Sequence, residues 1–215
     1  MNIVRRISLV TGGILAVAAL SSANAAPLNL YLDWYPDLYS EGMTMAIASI
    51  PNSTSLQLTA NGTPISLSLD SATDLTIDAP RTFSLSASVT PSGTFSSGSF
   101  TVNGMLGSYT GLLLSGNLTA IGFPTSADPE HPGALEFTYS VTGGHEQALF
   151  SGVGGIIFPN ALYSFGGLFD EAVFQPSNVN YSDIGIVAIP EVTSLPVIFG
   201  AMTTLLVFGP KKKRS

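Results

Sequence analysis

Strict alternation of apolar and hydroxyl side chains constrains this chain more than any other feature. In the segment TFSLSASV, Phe83, Leu85, Ala87 and Val89 share one parity, and Thr82, Ser84, Ser86 and Ser88 the other. The same period recurs in ISLSLD with Ile65, Leu67 and Leu69, in DLTIDA with Leu75 and Ile77, and in LEFTYSV with Leu135, Phe137, Tyr139 and Val141. A period of two puts one set on a core face and the other toward water. These are half-buried strands of an antiparallel sheet with one wet face. Two glycine-rich stretches, Gly111–Phe123 and Ala148–Phe158, are apolar on both parities and read as more deeply buried strands.

Turn signals separate these runs. Asn61-Gly62 lies between two alternating segments and predicts a tight hairpin, and Asn103-Gly104 repeats the signal. Thr90–Gly93 and the proline-punctuated Ser126–Gly133 read as a turn and a loop. No capped helical pattern of ten residues occurs between Ala26 and Pro190. The expected fold is all-β, an antiparallel β-sandwich or roll of about ten strands in one domain. With no cysteine in the chain, neither disulfides nor thiolate chemistry can hold or serve this domain.

The two ends read differently. Arg5 and Arg6 precede an apolar stretch from Ile7 to Leu20, and small residues follow up to Ala25. That order is a secretory signal peptide over residues 1–25, cleaved after Ala25. At the other end, Val192–Phe208 is uncharged and Lys211, Lys212, Lys213 and Arg214 follow it. An apolar helix over about 193–208 would nearly span a bilayer. Basic residues after a span stay on the cytoplasmic side, which puts the β domain outside. The chain therefore divides into a leader, a β-rich exported domain at 26–188 and a C-terminal segment at 189–215.

Between the ends, charge is one-sided. From Ala26 to Pro190 there are thirteen acidic residues and a single base, Arg81, a formal charge of −12. This surface repels nucleic acid, which is bound through Lys and Arg.

Signals of catalysis are weak. His131 lies beside Asp128 and Glu130, and His145 beside Glu146, without a nucleophile turn or a His-Glu-x-x-His pattern. Glu136 and Glu146 are carboxylates of the type that hydrolyse glycosides in pairs, but sequence alone does not pair them. The expectation is a non-enzymatic protein without a cofactor. Two other classes stay open. Asp70, Asp74 and Asp78 lie four apart and offer hard oxygen ligands to calcium, as in a calcium-stabilised adhesin. Tyr31, Trp34 and Tyr35 stand beside Asp33 and Asp37 and offer stacking faces and hydroxyl acceptors to a sugar, as in a carbohydrate-binding module or glycan hydrolase.

The C-terminal order of Pro190-Glu191, apolar run and basic cluster resembles the PEP-CTERM protein-sorting signal. Pro190 and Glu191 match the first two positions of its Pro-Glu-Pro motif, and Val192 stands where the second proline would be. The Gly-rich segments from Gly111 also look like the β domains of such proteins. The resemblance implies a signal peptidase and an exosortase-type membrane protease as processing partners, the latter acting near Pro190, Glu191 and Val192. It further implies transient anchoring in the inner membrane, a final place in the cell envelope or outside the cell, and an association with exopolysaccharide or biofilm matrix.

Overall fold

The computed structural model describes residues 26–176 and 180–188. The leader up to Ala25, the sorting motif at Pro190–Val192, the span at 193–208 and the basic cluster Lys211–Arg214 lie outside the described residues. Among the described residues, no helix is long and apolar enough to cross a membrane.

Ten strands follow one another: β1 (Asp37–Ser49), β2 (Leu56–Ser68), β3 (Asp74–Thr76), β4 (Asp78–Val89), β5 (Phe95–Leu106), β6 (Tyr109–Gly122), β7 (Gly133–Gly143), β8 (Gly154–Ser164), β9 (Val173–Phe174) and β10 (Tyr181–Ile186). A short 3-10 turn, Phe169–Glu171, precedes β9. Each long strand pairs antiparallel with the next long strand in sequence, from β1 through β2, β4, β5, β6, β7 and β8 to β10. β10 then pairs with β1, Leu38 opposite Ile184 and Glu41 opposite Tyr181, while β1 also pairs with β2 along its length. The sheet therefore closes on itself as an eight-stranded up-and-down barrel. β3 and β9 are short additions beside β2 and β8.

The all-β, antiparallel expectation holds, but the sandwich or roll gives way to a closed barrel. The physical reason lies at the seam. Two facing sheets would leave β1 and β10 as edges with unpaired N–H and C=O groups, and closure removes those edges.

The period-two segments behave as the alternation requires. Phe83, Leu85, Ala87 and Val89 are buried in the barrel, while Ser84 and Ser86 are exposed. An eight-stranded barrel is just wide enough for side chains to fill. Phe83, Phe100, Phe137, Tyr139 and Phe158 do so, as a chain of ring contacts with centroids 4.7–6.4 Å apart. A second aromatic group, Phe123, Phe165 and Phe169, packs edge-to-face where the loop after β8 folds back, and Phe169 N–H donates to Pro91 O. Interior room is limited: a Cβ at Gly154 would run into the Tyr139 ring.

Neither Asn-Gly pair makes a hairpin. Asn61 and Gly62 lie inside β2, paired with Ser84 and Phe83 of β4. Gly62 is used for close approach, since a Cβ there would meet the Met43 sulfur. Asn103 and Gly104 likewise lie inside β5, with Gly104 pressed against Ile77 and Leu113. The two-residue turn between β5 and β6 is Gly107-Ser108, with Gly107 at φ +60°. The turn at Thr90–Gly93 is present, closed by Gly93 N–H donating to Thr90 O.

Candidate functional site

The residues before β1 do not form a core strand. They run as a strap over the outside of the barrel and then beside β10. Asp33 N–H donates to Ile186 O, and Ala188 N–H donates to Tyr31 O, both at 2.8 Å. Leu32 bridges Val187 between them. This pairing turns the aromatic segment LYLDWYPDLY outward. Trp34 is 75% exposed and Tyr31 63% exposed, so neither packs on the core.

The strap walls an open cleft of about 340 Å³ whose lining includes Tyr31, Asp33, Trp34, Asp37, Ile157 and Asp183. Topology explains how residues so far apart in sequence meet. On β1, Asp37 and Tyr39 face outward while Leu38 and Ser40 face in. On β10, Asp183 stands opposite Tyr39, diagonally next to Asp37 on the same face. On the other side, Asp37 stands opposite Ser68 of β2, and Ser68 opposite Asp74 of β3. Three carboxylates thus lie along one outer row, from β10 across to β3.

That row is electrostatically strained. Asp37 is pushed up to about 6, first by burial and then by the negative charges of Asp183 and Asp74. Burial also raises Asp183. The cleft therefore holds a carboxyl group raised toward neutral pH, beside an exposed indole. Hydroxyl groups of a sugar can donate to such carboxylates while its apolar face stacks on Trp34. Tyr39 and Tyr181 extend the aromatic surface along the same two strands, with ring centroids 5.6 Å apart.

Of the sequence-predicted residues, Tyr31 and Trp34 reach this cleft, and Tyr35 is exposed beside it, just before a cis peptide bond to Pro36. Asp70, Asp74 and Asp78 do not come together as a calcium site. Asp70 accepts from the backbone N–H groups of Ala72 and Thr73 in a local turn, which lowers its carboxyl below the ordinary value. Asp74 accepts from the Ser68 hydroxyl, and Asp78 opens β4 opposite Met105. Among the described residues, no group of three His, Asp or Glu side chains is placed to hold a metal.

The carboxylates considered for glycoside hydrolysis also have other partners. Glu136 accepts three backbone N–H groups from the strap, and Glu146 stands 3.6 Å from His145 Nε2. His145 stacks on Tyr109 at 4.0 Å, and His131 sits in an exposed loop with Asp128.

Sequence reasoning missed Asp183, and it singled out Glu136 for a different role from the one it has. Asp183 is about 150 positions from Asp37, and only barrel closure brings them together. Glu136 lies on the polar parity of LEFTYSV, where alternation predicts a solvated side chain, yet it is buried because the strap covers it.

A second feature lies across the barrel. The outer parity of β2, β4, β5, β6 and β7 carries Ser, Thr, Asn and Gln in register. One row runs Thr59, Ser86, Ser99, Asn117, Ser140. Neighbours bond to each other, as Thr119 to Thr138 at 2.7 Å and Ser84 to Asn61 at 3.1 Å. The central stretches of these five strands, 56–62, 82–89, 95–104, 109–119 and 137–142, contain no charged residue. Two shallow grooves cross this face, one lined by Thr59, Ser84 and Thr101 and the other by Gln57, Ser97 and Asn117.

Comparison of the chain with protein-family models, curated proteins and solved structures gave no match.

Proposed function

We propose that this chain is an exported, non-enzymatic surface or matrix protein, carried out by its N-terminal leader and sorted through a PEP-CTERM-like segment that an exosortase processes at Pro190-Glu191-Val192. The observation that best supports a matrix role is the uncharged hydroxyl and amide face over five strands. Each Ser or Thr offers a donor and acceptors, and repetition in register suits a hydrated, neutral polysaccharide with equivalent groups along its length. The same face argues against a barrel embedded in lipid, whose outward residues form an apolar band.

Fractionation of the native host with mass spectrometry of both termini tests the sorting scheme. The mature chain is expected to begin at Ala26 and to lack the peptide that follows the Pro190-Glu191 motif up to Ser215, and deleting the exosortase is expected to leave that peptide in the membrane fraction. Mature extracellular protein that still ends at Ser215 would refute the scheme.

A second reading is favoured by the cleft, which joins two exposed aromatics to Asp37 and Asp183. It is a carbohydrate-binding module with the cleft as a sugar subsite. Trp34 is the only tryptophan, so its fluorescence reports on that cleft alone. A saturable emission change with one polysaccharide of a panel is expected, together with loss of retention on that polysaccharide in Trp34→Ala. A spectrum unmoved across the panel would remove this reading.

A further inference from the structure

We infer that Glu136 is the latch of the N-terminal strap and, through it, the positioning residue for the aromatic wall of the cleft. Its side chain leaves the outer surface of β7 and is only 8% exposed. One carboxylate oxygen, Oε2, accepts the N–H groups of Leu28 at 2.8 Å and Asn29 at 2.9 Å, and Oε1 accepts that of Leu30 at 2.9 Å. Hydrogen bonds to an ionised acceptor are about twice as strong as neutral ones. The sole base in the exported segment, Arg81, donates to Ile77 O. The buried charge of Glu136 is therefore met by the strap's own backbone dipoles.

The barrel wall is shaped to receive this segment. Under the strap the outward positions of β6, β8 and β10 are Gly122, Gly155 and Gly185. A Cβ at Gly122 would lie 2.5 Å from Leu28 N and 2.6 Å from Leu28 Cγ. One at Gly155 would lie 2.5 Å from Leu32 Cδ2, and one at Gly185 3.3 Å from Leu32 Cβ. Bare backbone on β6, β8 and β10 makes a trough under the strap, and Glu136 stands within it on β7, opposite Gly122. The strap is thus held at two places, the Glu136 carboxylate at residues 28–30 and the β10 edge at residues 31–33. Tyr31, Asp33 and Trp34 follow directly and form the cleft wall.

None of the strap's hydrogen bonds belongs to the barrel ladder. Releasing it rehydrates the Glu136 carboxylate and leaves the strands paired, so the strap can open locally while the barrel stays folded. Opening would dismantle the cleft wall. Only the ligand of that wall rests on the sugar-subsite reading; the latch does not.

Hydrogen exchange on the whole exported protein, with Trp34 anisotropy beside it, tests the latch. Glu136→Gln keeps the shape but replaces one acceptor oxygen by an amino group facing N–H donors. Exchange at residues 28–30 is expected to rise by about tenfold or more, Trp34 anisotropy to fall, and protection in β4 and β5 to stay at the wild-type level. Gly122→Val, which fills the trough without touching the charge, is expected to do the same and decides the matter should Glu136→Gln not fold. Unchanged exchange at residues 28–30 would overturn the latch, as would loss of protection in β4 and β5 in step with the strap. Failure of wild-type Trp34 to respond to any polysaccharide would count against the sugar subsite and leave these outcomes readable.

Discussion

Asp37 shows how a single residue can be half legible. Its neighbourhood of tyrosines and Trp34 is visible in the sequence, and so is its carboxylate. Its partner Asp183 is not, because nothing local says that β10 returns to β1. The consequence is a pH dependence of definite sign. The Asp37 carboxyl ionises near 3.8 when unperturbed and at about 6 in the folded protein. Between those values the folded state keeps a proton that the unfolded chain has released. Stability therefore falls as pH rises through this window, with the penalty absent below about 4 and complete above about 6. Asp183, also raised by burial, adds to the same trend. Asp37→Asn should make the melting temperature flatter across the window and higher than wild type at neutral pH. Melting curves of the two proteins on either side of pH 6 would decide it, and equal slopes would show that Asp37 does not carry the effect.

At the level of elements, sequence and structure agree on the alternating strands and on the turn at Thr90–Gly93, and disagree at the two Asn-Gly pairs and at Ala148–Val153, where β8 begins only at Gly154. Alternation is a property of the strand itself, because the pleat sends successive side chains to opposite faces. It was therefore readable in TFSLSASV and LEFTYSV without any knowledge of neighbours. Asn-Gly reports what a backbone tolerates, and tolerance has more than one use. At Gly62 and Gly104 the missing Cβ admits Met43 and Ile77, and the strands continue through them, with a β-bulge close by in each case. The real turn at Gly107-Ser108 carries a weaker signal.

Closure also sets a weak element. β10 is six residues long, against fourteen for β6, and it is the only strand between β8 and β1. Its inward residue Ser182 faces Ser40, both fully buried, and Ser40 Oγ has no hydrogen-bond partner among the described residues. An unpaired buried hydroxyl costs stability where an apolar residue would add it. Amides of β10 and of Leu38–Glu41 should accordingly exchange before those of β4, β5 and β6 under native conditions. Uniform exchange around the ring would mean that the seam is as strong as the rest of the wall.

For the molecule as a whole, the missing information was topological. Ten strands of the right parity are compatible with a sandwich, a roll or a barrel, and the choice depends on whether the first and last long strands meet. That pairing joins residues some 145 positions apart, with no trace in composition or periodicity. Charge, in contrast, was fully legible in amount but not in placement. The formal −12 of residues 26–190 is excluded from the five-strand hydroxyl face, and part of it collects in the row of Asp183, Asp37 and Asp74. A domain charged in this way repels itself, and salt should relieve the repulsion. Raising ionic strength from about 0.01 to about 0.15 M shortens the screening length from about 30 to about 8 Å. The melting temperature should rise over that range and then level off. Calcium separates screening from specific binding. Because Asp70 is held in its own turn, Asp74 accepts from Ser68 and Asp78 lies on β4 opposite Met105, calcium has no converging ligand set among the described residues. Calcium chloride and sodium chloride at matched ionic strength should therefore stabilise the protein to similar extents. A saturable gain at micromolar calcium, reversed by chelator, would mean that the carboxylates gather around an ion after all and that the acidic side of the barrel is a cation site.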